Sequence, residues 1–294
     1  MRLYPVESVP QRASVKVYLL SIPRIQRGDE FQTITIEKAA ILLVYLALSG
    51  ARPTREHLQT LLWPDSDAQA GRKNLRNLLW HINARYGKDL LVTDQYYVSL
   101  SSAVWTDVGD FECISLNKDA TITQIRELLF GLHSVSLLPG FRSRELQQFE
   151  LWLTLQRERL GRLHDNLITR LIEHYRHMED WQQVIEVAFR AIAADRRQES
   201  TYFHLIDAYR QLGERAKALH TFEQMRMWLA SEYGLQPSDE MRQLQRAILT
   251  DNLTRAAHRF RAQDEIISLN FSSNTYLQEL IEDAAKDAPE DTSA

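Results

Sequence analysis

Cysteine is nearly missing from this chain. Cys113 stands alone among 294 residues, which excludes a disulfide framework and a thiolate metal site and suits a reducing compartment. Long apolar runs are missing too. The longest, Ala39 to Leu48, has ten residues, against the roughly 18–20 needed to span a bilayer. It predicts a helix buried on all sides rather than a membrane span. The first residues lack the charged-then-apolar layout of a secretory leader, so the expectation is a cytoplasmic protein with no membrane partner. Glycine is scarce, ten in all, leaving little for a phosphate cradle, and no G-x-x-x-x-G-K-[ST] occurs. The nine histidines form no H-E-x-x-H pair, and neither G-x-S-x-G nor a Cys-His arrangement appears. No catalytic residue, metal site or cofactor is expected, and no enzyme.

Excess positive charge is also absent, since the chain sums to −4. The charge is unevenly divided, however. Residues 1–108 hold 13 Lys+Arg and 10 Asp+Glu, and the remainder holds 22 and 29. A mildly basic front on an acidic back is compatible with a DNA-binding domain that carries a regulatory one.

What is present reads in order. Residues 1–12, with two prolines and no periodicity, suggest a flexible tail. Val15, Val17 and Leu19 alternate as in a strand that Pro23 ends, and a turn at Arg27-Gly28-Asp29 precedes a second strand around Phe31 to Thr35. Helices are expected from Glu37 to Ser49, stopped by Gly50, and from Arg55 to Trp63, capped by Thr54 and ended by Pro64. A third follows from Asp67 to Tyr86. Leu90 to Val92 and Tyr97 to Leu100 then flank a turn. Strands, three helices and a hairpin, over residues 13–108, make an α+β winged helix-turn-helix, in which the third helix enters the major groove.

That third helix has two faces. Leu75, Leu78, Leu79, Ile82 and Tyr86 form an apolar stripe. The other side carries Arg72, Lys73, Arg76, Asn77, Trp80 and Asn83, and Arg, Lys and Asn are the side chains that hold phosphates and read base edges. Arg76 and Asn77, mid-helix, are the candidates for base edges. A solvated helix face is the bland alternative, which the surrounding strand, helix and wing order disfavours. Trp80 is open between a contact to a thymine methyl or sugar and packing against the second domain, with packing slightly ahead. Thr54 and Arg55 at a helix N-terminus can hold a phosphate, although capping alone explains Thr54. The wing adds Thr93, Gln95 and Tyr96.

From about Gly109 the pattern is helical only, with a repeat of period 34. H-Y-R-H-M-E-D-W-Q-Q-V-I (174–185) and A-Y-R-Q-L-G-E-R-A-K-A-L (208–219) share one plan. A helix ends, a short turn follows, and a second helix starts on an acidic cap. Thirty-four residues per helix pair is the tetratricopeptide period. An all-α tetratricopeptide-like repeat domain is therefore expected over 109–252, with long helices at Arg144 to Tyr175 and Ser238 to Leu249 capping it. Its aromatic residues, Tyr175, Trp181, Tyr202, Tyr209 and Phe222, are expected mostly in the core. Residues 253–294 suggest a helical extension with a disordered end.

Several motifs resemble one family. K-A-A-I-L-L-V-Y-L-A-L (38–48), L-L-W-P-D (61–65), N-L-R-N-L-L (74–79) and V-W-T-D-V-x-x-F (104–111) are similar to the DNA-binding half of SARP-type bacterial activators, with an OmpR-type winged helix. L-L-P-G-F (137–141), F-E-L-W-L-T-L-Q-R-E-R-L (149–160) and Y-G-L-Q-P-S-D-E-M (233–241) resemble the bacterial transcriptional activator domain that accompanies it. The resemblance spans roughly residues 15–250. It implies an activator that binds repeated promoter sites in double-stranded DNA, sets successive copies on direct repeats and contacts RNA polymerase. The chain departs from the family pattern at Trp80, His81 and Asn83, at Ala40, and at a wing tip, Asp94-Gln95, without glycine. These departures, with the acidic total, leave a second reading open: a tetratricopeptide protein–protein adaptor whose winged helix does not bind DNA.

Overall fold

The computed structural model describes residues 15–50, 52–132, 135–194 and 196–250. The tail expected over residues 1–12 and the extension over 253–294 lie outside the described residues. By packing, the chain separates into two compact units, with the division after Gln183.

The first unit opens on a sheet. β1 (Val15–Tyr18), β2 (Arg24–Arg27) and β3 (Glu30–Thr33) run antiparallel in sequence, with Val17 opposite Ile25 and Gln26 opposite Phe31. β6 (Val104–Thr106) lies parallel to β1 on its other side, giving the order β3-β2-β1-β6. Two of these strands depart from expectation. β2 precedes the turn at Gly28, where no strand is predicted, because its only buried side chain is Ile25 and one apolar residue gives no alternation. β6 is three residues long and gains its partners some 90 positions away, so no local pattern announces it.

Three helices follow: α1 (Glu37–Leu48), α2 (Arg55–Leu62) and α3 (Ala68–Tyr86). In α1, Ala39, Ala40, Ile41, Leu42, Leu43, Val44, Leu46 and Leu48 are buried, as a ten-residue apolar run demands. The hairpin of β4 (Leu91–Thr93) and β5 (Val98–Leu100) pairs Leu91 with Leu100. The order is that of a winged helix. α4 (Asp107–Leu116), α5 (Ile122–Gly131) and the long α6 (Gln147–His177) complete this unit. Tyr45 of α1 sets its ring against Trp152 of α6 at 4.8 Å between centroids, and Phe149 lies beside Trp152, so α6 serves as a floor for the winged helix.

α7 (Trp181–Ala194) leads into the second unit, which contains α8 (Glu199–Gln211), α9 (Arg215–Tyr233) and α10, residues 239–250. The 34-residue period is visible in the turns. Leaving α6, Met178, Glu179 and Asp180 donate their N–H groups to the carbonyls of His174, Arg176 and Tyr175 at 3.1, 3.1 and 2.9 Å. Leaving α8, Leu212, Gly213 and Glu214 do the same to Ala208, Arg210 and Tyr209 at 3.1, 3.0 and 2.8 Å. The acidic caps differ: Asp180 Oδ1 accepts from Gln183 N–H, whereas Glu214 caps no backbone group and pairs with Lys217. Of the repeat aromatics, Tyr202, Tyr209 and Phe222 are buried and Tyr175 and Trp181 half-buried.

Both turns pass through the left-handed region at their second residue, Gly213 at φ 74° and Glu179 at φ 55°. A side chain in that region costs roughly 1–2 kcal/mol, partly offset by glycine's greater chain entropy. Glu179→Gly is therefore expected to raise stability by about 1 kcal/mol in a denaturant titration. A loss of stability would mean that the Glu179 side chain makes a compensating contact.

Candidate nucleic-acid interface

α3 starts where Asp67 caps it. One carboxylate oxygen accepts from the N–H groups of Gln69 and Ala70, both at 2.8 Å. From there its apolar stripe is buried as predicted: Leu75, Leu78, Leu79, Ile82 and Tyr86. Gly71 lets α2 approach, since a Cβ at that position would lie 3.4 Å from Gln59 Cβ. The C-terminal end is fixed by Arg27, which sequence reasoning passes over. Its guanidinium donates to the Tyr86 carbonyl at 2.8 Å and pairs with Asp89, which holds the Asp89 carboxyl below its ordinary range. The Tyr86 hydroxyl accepts from Thr35 N–H at 3.1 Å. α3 is thus held at both ends and along one side, leaving its other side to solvent.

That open side carries Arg72, Lys73, Arg76, Asn77 and Trp80, all exposed. α3 contains no acidic residue, and Arg72, Lys73 and Arg76 have no acid partner among the described residues. Cations left unpaired in this way keep their attraction for phosphate. Asn83 differs from its companions: it is half-buried, with Oδ1 enclosed and without a partner. Trp80 corrects the packing expectation. It is 65% exposed, touching His81 edge-on at 4.9 Å between ring centroids.

The wing is tied to the start of α2. Arg55 N–H donates to the Tyr96 carbonyl at 2.8 Å, Val98 N–H to the Pro53 carbonyl at 3.2 Å, and Arg55 Nε to the Asp94 carbonyl at 2.8 Å. Thr54 is a cap, accepting from His57 N–H at 3.1 Å. With Arg55 N–H and His57 N–H both engaged, the start of α2 offers fewer free donors to a phosphate than the sequence suggests, and what Arg55 retains is its charge. Thr93, Gln95 and Tyr96 are exposed at the wing, Tyr96 to 64%. Asp94 explains how this wing turns without glycine. Its Oδ1 accepts from the N–H groups of Tyr96 and Tyr97, both at 2.7 Å, a turn closed by a side chain. The N–H of Tyr97 and then that of Tyr96 hold its carboxyl below the ordinary range, with Arg52 and Arg55 adding to the effect. Arg52 is a basic residue of this rim that the sequence reading does not single out, although A-R-P-T-R sets two arginines around one cap.

Lys38, one of the family-like basic positions, is spent internally. Its Nζ donates to the Leu62 carbonyl at 2.7 Å and lies 4.7 Å from the centre of the Trp63 ring, and burial lowers its pKa. Elsewhere among the described residues, no group of His, Cys, Asp and Glu is arranged to hold a metal ion. No helix there is long and apolar enough to cross a membrane.

The comparisons with known proteins bear on both halves. Residues 136–249 match the family model of the bacterial transcriptional activator domain. Mycobacterium tuberculosis EmbR, solved in complex with a low affinity phosphopeptide, superposes on 81% of this chain with a TM-score of 0.56 at 17% identity. At that identity the likeness is one of fold. The chain spans 65% of the length of that structure. No curated protein matches the chain. With the winged helix before the matched segment, the chain has an EmbR-like fold, a small sheet region followed by a helical domain.

Proposed function

We propose that this protein is a sequence-specific DNA-binding regulator of transcription, an activator that sits on repeated promoter sites in the cytoplasm. The observation that carries the reading is α3: an acid-free helix, held at both ends and along one side, whose solvent side presents Arg72, Lys73, Arg76 and Asn77. Laid in a major groove, Arg76 and Asn77 reach base edges, since a guanidinium fits the paired acceptors of guanine and an amide those of adenine. Arg72 and Lys73 hold phosphates, and Arg52, Arg55, Thr93, Gln95 and Tyr96 bring the wing to the neighbouring backbone or minor groove. Asn83 is a positioning group in this scheme, and Thr54 sets the start of α2.

The bacterial transcriptional activator domain then serves contact with RNA polymerase and association of copies on adjacent repeats. The functional boundary falls near residue 108, with residues 13–108 for DNA and 109–252 for protein contacts. A gel shift of the full chain on fragments of its own upstream region tests the reading. Retention that weakens steeply with salt, as phosphate contacts require, supports it. Retention of a protein partner with no shift of DNA at any salt favours the adaptor instead.

A further inference from the structure

Trp80 is the part of the recognition face that charge does not explain. An indole left 65% exposed at the end of a basic stripe forgoes the large burial that aromatic side chains usually gain. It follows Arg72 and Arg76 at intervals of four, on the same side of α3. Ala84, one turn further and also exposed, raises no wall beside it, while His81 braces the indole edge-on, its ring centroid 4.9 Å away. The result is a flat apolar surface, supported from one side, set about 6 Å along the helix axis from Arg76. That is under two base steps of about 3.4 Å.

The major-groove edge of a base pair offers one apolar group, the C5-methyl of thymine. We propose that Trp80 is a specificity determinant that packs on a thymine methyl within two base pairs of the base read by Arg76. The inference rests on the DNA-binding reading above. A sugar contact would serve a planar apolar ring as well, but it would carry no sequence preference. The two are separable by experiment.

The test uses the full chain and a duplex carrying its footprinted site. Each thymine in turn is replaced by deoxyuridine, which removes the methyl and keeps the base pair. The wild-type protein is expected to lose about fourfold in affinity at one thymine per repeat, the worth of one buried methyl. Trp80→Ala should bind the parent site more weakly and show no difference between thymine and uracil at that position. Trp80→Leu, which keeps an apolar surface, should retain part of the difference. Because Trp80 is exposed, both variants are expected to melt with the wild type. A flat uracil scan on a wild-type protein that binds its site overturns this inference and leaves the DNA-binding reading standing. A weakening in Trp80→Ala that is equal on thymine and uracil duplexes overturns it as well. Failure of the wild type to bind any duplex overturns the reading beneath it.

Discussion

Replacing Lys73 and Arg76 together by alanine is expected to reduce affinity for promoter DNA by roughly a hundredfold and to leave the melting temperature nearly unchanged. A bidentate arginine–guanine pair is worth about 1–3 kcal/mol, and a lost phosphate contact lowers the salt slope by about one. Both side chains are exposed on a helix whose other face holds the fold. Surface changes of this kind usually alter stability by less than about 0.5 kcal/mol. A salt titration separates the two roles. Lys73→Ala alone should reduce the slope and weaken all duplexes alike, whereas Arg76→Ala should relax discrimination at one base pair. Arg85→Ala is the control. It removes a charge from the same helix, about half a turn of the wheel away from Arg76, and should leave affinity nearly as it was. Unaltered binding by the double variant would remove α3 from the interface.

Asp107 carries the second large effect, on stability. It is the first residue of α4 and only 6% exposed. β1 ends at Tyr18, and the next two N–H groups have no strand to pair with. Asp107 takes both, Leu19 N–H on Oδ1 at 2.7 Å and Leu20 N–H on Oδ2 at 3.1 Å, while Val108 N–H also donates to Oδ1 at 2.8 Å. One carboxylate thus joins the sheet to the helix that follows the winged fold. Asp107→Ala leaves two of these donors buried and unpaired far from any local substitute, at about 1–3 kcal/mol each. The expected loss is about 3 kcal/mol, read as a fall of roughly 10 °C in the first unit's melting temperature.

The same residue has a signature in pH. Burial pushes the Asp107 carboxyl up, the three backbone donors pull it down, and the balance lies at about 6, above its ordinary value near 4. Between those values the folded chain binds a proton that the unfolded chain does not. The Asp107 contribution to stability therefore grows as pH falls from about 6 to about 4. Measured against Asp107→Asn, which does not titrate, the wild-type advantage should widen by up to about 3 kcal/mol over that window. A gap that narrows toward acid would mean that the backbone donors outweigh burial.

The sequence discloses some of this well. α3 is legible because its burial repeats at the helical period over nineteen residues, and the two repeat turns because identical spacing puts the same hydrogen bonds 34 residues apart. Other features depend on distant partners. β6 and the burial of Asp107 exist only because Val104 meets Val15 and Asp107 meets Leu19. The packing of α4, α5 and α6 with the winged helix, up to Gln183, is likewise invisible in a pattern that turns wholly helical at residue 109. On α3, the spacing of the apolar stripe leaves Arg72, Lys73 and Arg76 on the opposite face, where they are exposed. It does not separate Asn83, whose Oδ1 is enclosed, from Asn77, which is open, because six residues of helix place them on different sides of the same edge.

The most direct measurement of the central claim is a footprint of the full-length protein on its flanking genomic DNA at moderate salt. The expected result is protection of repeated sequence blocks whose centres lie about one helical turn, roughly 10 base pairs, or a multiple of it apart, and loss of that protection in Lys73→Ala/Arg76→Ala. A folded wild-type protein that protects no block of that DNA would contradict it.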